Sequence, residues 1–492
     1  MNKALRRLSL AVLVLFVVMM INVNYLQVFR ASSLAAEPAN PRILSEQSSY
    51  QRGEIIAAGG PGAQQVIAES RPAKGGGFQR YYPAPQVYAP VTGYDTVDGT
   101  YSGIELAENS LLSGTAPSLA VHNLIGLLTG KSKQGASVYL TISPKAQAAA
   151  YQALQAMGRP AAAVAIDPST GAILALASYP TFNPNLYATP SSAQLAKIDS
   201  KYRNDPSQPL LNRAIDATFP PGSTFKIVTG SAAYSIGHVS TPNSPIPAPQ
   251  FYRLPGSTHV LTNDGNAPCG NGNPPIAFAF AESCNTAFGK LGATIGSPVI
   301  HKYANLFGFN NPNLTIPLPV AQSNYPLLTD PAETAMSAIG QFSDTVTPLQ
   351  EAMMAAVVAN GGVLMQPHLI QEIRAPDLSV LSTTAPTVLR RVTSAQVAHN
   401  MGVLMEGVTH DPYGTAYLSA GPSVTGINIA GKTGTAQNGV NNTGLDDAVF
   451  TCFAPYSNPK IAVGVIVKGG GYGADAAAPI AVKIIQAYLG RH

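Results

Sequence analysis

An apolar run over residues 8–21 follows Lys3, Arg6 and Arg7, and a more polar stretch with Asn22, Asn24 and Gln27 continues it to Phe29. The first run alone has the length of a signal-peptide core. Taken over 8–29, at about 1.5 Å per residue, the segment reaches roughly 33 Å and crosses a bilayer as a helix. Basic residues on its N-terminal side put the start in the cytoplasm and the body outside. A cleaved signal, with Ser33-Leu34-Ala35 as a small-residue site, is the alternative. The span length favours an uncleaved anchor, and both readings export the body. No second apolar run of spanning length follows.

From 31 to about 135 the pattern is polar, rich in Gly, Pro, Tyr and Ser. Residues 55–58 and 87–88 predict short strands, and Gly59-Gly60-Pro61-Gly62 and Lys74-Gly75-Gly76-Gly77 predict turns. With few ionisable groups, the stretch reads as a small, loop-rich, non-catalytic domain. The pattern changes at 136. Residues 137–142 predict a strand. Ser143 caps a helix over 144–157, with Pro144 at its first position and Gly158 as its stop. The apolar runs 161–166 and 172–178 flank Asp167-Pro168-Ser169-Thr170-Gly171, which predicts a hairpin. Residues 449–454 and 461–467 predict two more antiparallel strands, with a helix over 476–489 to lie against them. The middle is helical, including 348–360 with Gly361-Gly362 after it. Strands at both ends and helices between them predict an α+β or mixed α/β domain over 136–492, preceded by the N-terminal domain over 31–135 and the anchor within 1–30.

Composition narrows the classes. Of 492 residues 46% are hydrophobic, which supplies sizeable cores and excludes a disordered chain. A net charge of +4 from 29 basic and 25 acidic residues is too balanced for a nucleic-acid-binding surface. Three cysteines, Cys269, Cys284 and Cys452, do not make a Cys-rich zinc site, and the eight His show no HExxH-like pairing. The expectation is therefore no metal and no cofactor.

Three segments carry candidate chemistry. In Pro220-Pro221-Gly222-Ser223-Thr224-Phe225-Lys226, a turn leads into helical apolar spacing over 225–236. Ser223 falls at the helix start, where free N–H groups favour a developing anion. Lys226 lies one turn on, on the same face. A buried lysine loses its proton more easily and, once neutral, can take the serine's. The plain alternative is an N-cap serine and a solvated lysine. Ser457-Asn458-Pro459-Lys460 repeats the spacing, but its proline sits in a turn between strands and aligns nothing. Ser283-Cys284-Asn285 lies between helices predicted over 274–282 and 286–295, and offers a hydroxyl and an amide together, or simply another cap. Lys432-Thr433-Gly434-Thr435 follows the apolar stretch 427–430. One cation and two hydroxyls there make a carboxylate site, with glycines permitting close approach of a ligand; a turn at a strand end is the plain alternative.

The order Ser-x-x-Lys, Ser-x-Asn, Lys-Thr-Gly, each in its expected setting, is the signature of penicillin-binding proteins and serine β-lactamases. The chain resembles the monofunctional (class B) penicillin-binding proteins, most of all the actinobacterial penicillin-binding protein A type. Asn40-Pro41-Arg42 with Gln51-Arg52-Gly53-Glu54-Ile55, the stretch 164–173 through Asn183-Pro184-Asn185, Leu211-Asn212-Arg213-Ala214, and Gly340-Gln341 through Thr347-Pro348-Leu349-Gln350 all fit. One departure is Phe450-Thr451-Cys452-Phe453, where many relatives carry a Trp, and it bears on packing beside the site.

The resemblance implies a transpeptidase fold with an antiparallel sheet and a helical subdomain. It implies Ser223 as the nucleophile attacking the penultimate D-Ala carbonyl of a peptidoglycan stem peptide, and Lys226 as its base. Ser283 would pass the proton to the leaving D-Ala with electrostatic help from Lys432. Asn285 would hold the donor peptide, and Thr433, Gly434 and Thr435 would bind its end. The N–H groups of Ser223 and Thr435 would form the oxyanion hole. Amine attack then makes the cross-link, and β-lactams acylate Ser223. Implied partners are stem peptides, β-lactams, the membrane and divisome proteins, with the catalytic domain on the extracytoplasmic side. Cys269 and Cys284, 15 positions apart in an exported region, admit a disulfide bracing the loop beside Ser283, or stand as two buried thiols.

Competing readings differ in what they need. A bifunctional enzyme needs a glycosyltransferase, and 31–135 is short for one. The Asn of Ser-x-Asn and the long exported N-terminal region count against a β-lactamase or a β-lactam sensor. A D,D-carboxypeptidase uses the same residues with water as acceptor, and a β-lactam-binding division scaffold needs little turnover.

Overall fold

The computed structural model describes residues 3–28, 30, 50–60, 62–73, 76–129, 133–437 and 444–490. Ser33-Leu34-Ala35 and Asn40-Pro41-Arg42 lie outside these. The first helix, Lys3–Val28, contains a 21-residue stretch, Arg6–Leu26, with mean hydropathy 2.2 and none of it buried against the rest of the chain. It is long and apolar enough to cross a membrane.

Strands β1 (Ile55–Ala57), β2 (Gln65–Pro72), β3 (Phe78–Tyr81) and β4 (Ser137–Leu140) come first along the chain. The hairpin β5 (Ala161–Ile166) and β6 (Ile173–Tyr179) follows, then a short pair, β7 (Phe251–Arg253) and β8 (Val260–Thr262). After the helical middle come β9 (Val363–Met365), β10 (Ile370–Arg374), β11 (Val380–Thr383) and β12 (Val388–Arg391). The last three are β13 (Ala430–Ala436), β14 (Asp447–Ala454) and β15 (Ile461–Val467).

The larger core is built on a five-stranded antiparallel sheet in the order β13-β14-β15-β5-β6. β5, β14 and β15 are buried at every position, as strands covered on both faces must be. The helix Pro348–Ala359 lies across β15, β5 and β14 on one face. The helices Pro144–Met157 and Ala478–Leu489 pack on each other and on the opposite face. Gly464 of β15 makes the first contact feasible, since a Cβ there would sit 2.5 Å from the Ala352 nitrogen. Local signals act as expected: the Ser143 hydroxyl accepts from the Ala146 N–H, and Gly158 ends that helix at φ 69°.

The second sheet runs β11-β10-β4-β1-β2-β3, parallel only between β1 and β4. It draws on both sides of residue 136, because β10 returns from far downstream to pair with β4 and β11 adds to β10. Residues 87–88 are not a strand but part of a helix, Pro85–Thr92. Pro85 presets the first turn, two apolar residues offer no alternation, and Gln147 donates to the Val87 carbonyl at 2.8 Å.

Four ionisable groups of the N-terminal region converge. Glu105, fully buried, accepts from Arg52 and Arg80, and the Arg52 guanidinium lies 3.4 Å from Asp95. Burial pushes the Glu105 carboxyl up, but Arg80 and Arg52 together hold it below its ordinary value. Burial raises Asp95 to about 6 despite Arg52.

Candidate active site

Ser223 sits within a 3-10 turn, Gly222–Phe225, which runs straight into the helix Lys226–Ser235. Neither segment has a side-chain cap, so the Ser223 hydroxyl is not spent on helix capping. The turn is clamped on two sides. The Gly222 N–H donates to the Gly340 carbonyl at 3.0 Å, and both glycines have positive φ, 56° and 73°. A Cβ on Gly340 would come within 2.1 Å of the Gly222 oxygen. On the other side lies the sheet-edge strand β13. A Cβ on Gly434 would sit 2.8 Å from the Pro221 oxygen, so what approaches this glycine is the Ser223 turn itself. The glycine of Lys-Thr-Gly thus has a packing reason that its sequence setting did not reveal.

Lys226 and Lys432 are both fully buried. The Lys226 Nζ donates to the Ser283 carbonyl at 2.7 Å and to Asn285 Oδ1 at 2.8 Å, and stands 3.2 Å from Ser283 Oγ. The Lys432 Nζ donates to Ser283 Oγ at 2.8 Å and to the Thr433 carbonyl at 3.0 Å. The Ser283 hydroxyl therefore lies between two amines. Aromatic rings flank both: Phe288 has its centroid 5.7 Å from Lys226 Nζ, and Phe280 has its centroid 5.5 Å from Lys432 Nζ. Neither lysine has a carboxylate partner among the described residues. Burial lowers Lys432 to about 7, and burial together with Lys432 takes Lys226 well below the usual lysine range. A neutral Lys226 amine has two N–H groups for its two carbonyl acceptors and a lone pair left for a hydroxyl proton.

Ser283 lies between the helices Ile276–Ala281 and Asn285–Ile295 and Asn285 opens the second, close to the expected boundaries. Ser283 adopts φ 63°, a left-handed conformation that a serine holds only under outside constraint. Two ties supply it. Cys284 is bonded to Cys269, and Asn263 Oδ1 accepts from the Thr286 N–H at 3.0 Å and its hydroxyl at 3.1 Å. Cys452 is free and buried on β14, opposite Gly431.

The two threonines of β13 have partners that sequence reasoning passed over. Thr433 Oγ1 lies 2.7 Å from the Thr415 hydroxyl, and Gln341 Nε2 donates to the Thr435 carbonyl at 3.0 Å. Thr415 sits in a polar turn with no marker. Gln341 belonged to a quoted motif but without a role. Ser223, Ser283, Asn285, Gln341, Thr433 and Thr435 line one cleft of about 810 Å³. Among the described residues β13 pairs only with β14, so no strand occupies its outer edge, where an extended ligand can add. Chemically the cleft offers the hydroxyls of Ser223 and Ser283, the second of them in contact with two buried amines, and a strand edge.

Comparison with known proteins agrees with that chemistry. Residues 161–486 match the model of the penicillin binding protein transpeptidase domain, and 52–138 match that of the penicillin binding protein A dimerisation domain. The peptidoglycan D,D-transpeptidase PbpA of Mycolicibacterium smegmatis is 41% identical over 503 aligned positions, covering 99% of each chain. Penicillin-binding protein A of M. tuberculosis, solved as a ceftriaxone acyl-enzyme complex, superimposes with a TM-score of 0.85 at 38% identity, covering 90% of this chain and 99% of that one. Its penicillin G acyl-enzyme complex gives a TM-score of 0.84 at 39% identity, covering 90% and 100%. A domain match over well more than half of the residues, joined to full-length likeness, places this chain in the penicillin-binding protein transpeptidase family.

Proposed function

We propose that the chain is a peptidoglycan D,D-transpeptidase that works through an acyl-enzyme on Ser223. The observation that carries the assignment of residues is the meeting of Lys226 and Lys432 at one Ser283 hydroxyl beside the Ser223 turn. Lys226, held neutral, takes the Ser223 proton as Oγ attacks the penultimate D-Ala carbonyl of a stem peptide. The N–H groups of Ser223 and Thr435 receive the oxyanion. Ser283, between the two amines, passes a proton to the departing D-Ala, and Lys432 stabilises the charge that moves. Asn285 holds the donor peptide, and Thr433 and Thr435 with the backbone at Gly434 bind its terminal carboxylate. An amine from a second stem then attacks the ester and forms the cross-link. β-Lactams take the donor's place and stay on Ser223.

Intact mass spectrometry after benzylpenicillin, with peptide mapping, tests this. One adduct on Ser223 is expected, and Ser223→Ala abolishes it; an adduct retained in that variant removes the assignment. The domain division follows the same reading, with an anchor in 1–30, a non-catalytic region over 31–135 and the transpeptidase over 136–492. The helix Lys3–Val28 holds the chain in the cell membrane with the cleft outside. Labelling of intact spheroplasts by a membrane-impermeant penicillin checks this, and no labelling until lysis contradicts it. Partners among divisome proteins follow from the resemblance alone. In-cell crosslinking from the N-terminal segment tests them, and capture of no division protein counts against them.

A further inference from the structure

The helix Pro348–Ala359 carries two polar side chains, both buried: Gln350, which donates to the Phe307 carbonyl, and Glu351, which enters the space behind the nucleophile turn at zero exposure. Its Oε1 lies 2.7 Å from Thr224 Oγ1, and that hydroxyl lies 2.8 Å from the Pro221 carbonyl oxygen. A threonine hydroxyl has one hydrogen to give, and a carbonyl has none. With both contacts at hydrogen-bond distance, the second proton has to come from the carboxyl. The other carboxyl oxygen, Oε2, has no hydrogen-bond partner, which a neutral acid tolerates far better than a buried carboxylate does.

No neighbouring charge offers an alternative. β5, β9 and β15 carry no charged residue. β14 carries Asp447, which accepts from the Gly469 N–H, and the thiol of Cys452. The helix Ala395–His410 carries His399, Glu406 and His410, the helix Ser297–Phe307 carries His301 and Lys302, and Lys226 is turned to Ser283 and Asn285. None of these acts on Glu351: burial raises it to about 8 and the Thr224 bond only partly offsets that.

We propose that Glu351, as a neutral acid, is a positioning residue for Ser223: its O–H donates to Thr224, Thr224 donates to Pro221, and this relay holds the turn that presents the nucleophile. The proposal rests on the reading of Ser223 above. It differs from a purely structural role because the relay fails when the carboxyl ionises, while the fold remains.

The test measures the second-order acylation rate constant with a chromogenic penicillin between pH 6 and about 10, on full-length protein in detergent, with the adduct mapped by mass spectrometry. Glu351→Gln, whose amide N–H can replace the acid O–H, should acylate within about twofold of the wild type at pH 7 and lack the wild type's fall above about pH 8. Glu351→Leu and Thr224→Val should each be roughly 10- to 100-fold slower at pH 7. Thr224→Val keeps the side chain's shape and serves if the leucine variant does not fold. Unchanged rates in Glu351→Leu or Thr224→Val, an alkaline fall that persists in Glu351→Gln, or no rescue by Gln each overturn the proposal. With the adduct on Ser223, such a result sinks the role of Glu351 alone. An adduct elsewhere in the wild type sinks the nucleophile assignment and this proposal with it.

Discussion

Two clusters of ionisable side chains buried among the described residues are built on opposite plans. In the N-terminal region Arg52 and Arg80 close on Glu105, with Asp95 at the edge, so cations and carboxylates neutralise one another. Around Ser283, Lys226 and Lys432 meet with no carboxylate partner among the described residues. Opposite charges in a dry site keep their protonation states and hold structure together. Like charges in a dry site shed protons, and a lysine so treated becomes a base. The contrast separates a structural cluster from a reactive one without reference to any motif.

That contrast can be broken at several points. The largest effect is expected from Lys226→Ala, which removes the proposed base. Acylation by a penicillin should fall by about 10³-fold or more while the thermal midpoint changes little, since a neutral buried amine is lost rather than a paired charge. A rate within tenfold of the wild type would mean that something else deprotonates Ser223. Glu105→Gln removes the carboxylate that Arg52 and Arg80 share and leaves Asp95, at the edge, as the remaining acid beside two buried guanidinium groups. A loss of about 3–5 kcal/mol in stability is expected, read as a lowered midpoint in denaturant, with acylation per folded molecule unchanged. A loss of activity without loss of stability would contradict the division of roles.

The smallest effect sharpens the picture through pH. Lys432 accepts the first proton as pH falls to about 7, and its charge then opposes a proton on Lys226. Acylation should therefore hold through neutrality and decline on the acid side as Lys226 is finally protonated. Lys432→Gln removes the opposing charge, so Lys226 gains its proton more readily and the acid limb moves to higher pH. The neutral-pH rate should drop about tenfold, the worth of one charge-assisted hydrogen bond. An acid limb that stays in place would show that the two amines are not coupled. The sign for stability is the reverse of a salt bridge. Lys432 has its folded pKa lowered, so the unfolded chain binds more protons between about 7 and 10.5, and stability from this group rises with pH across that window.

Local signals were legible wherever a residue's effect is confined to its neighbours. Ser143, Pro144 and Gly158 bounded a helix, the 167–171 turn joined β5 to β6, and the even burial of β15 answered to its unbroken apolar run. The 87–88 stretch went the other way because two apolar residues have no period, and a proline two positions earlier outweighed them. Glu351 was invisible as chemistry, since an acid on a helix is ordinarily solvated. Thr415 was invisible because nothing in its own segment marks it.

The chain's order of residues alone determined that a hydroxyl and an amine stand one helical turn apart, that a hydroxyl-and-amide loop and a Lys-Thr-Gly strand follow in sequence, and that an apolar helix of spanning length precedes them. Those are properties of spacing along a backbone. Folding alone decided that both lysines lie in dry surroundings at a single hydroxyl, that Ser283 is held at a left-handed φ, and that β10 and β11 return to complete the N-terminal sheet. The physical reason is that proton affinity and backbone strain depend on what is packed around a group, and segments 57 to 227 positions apart provide that packing here.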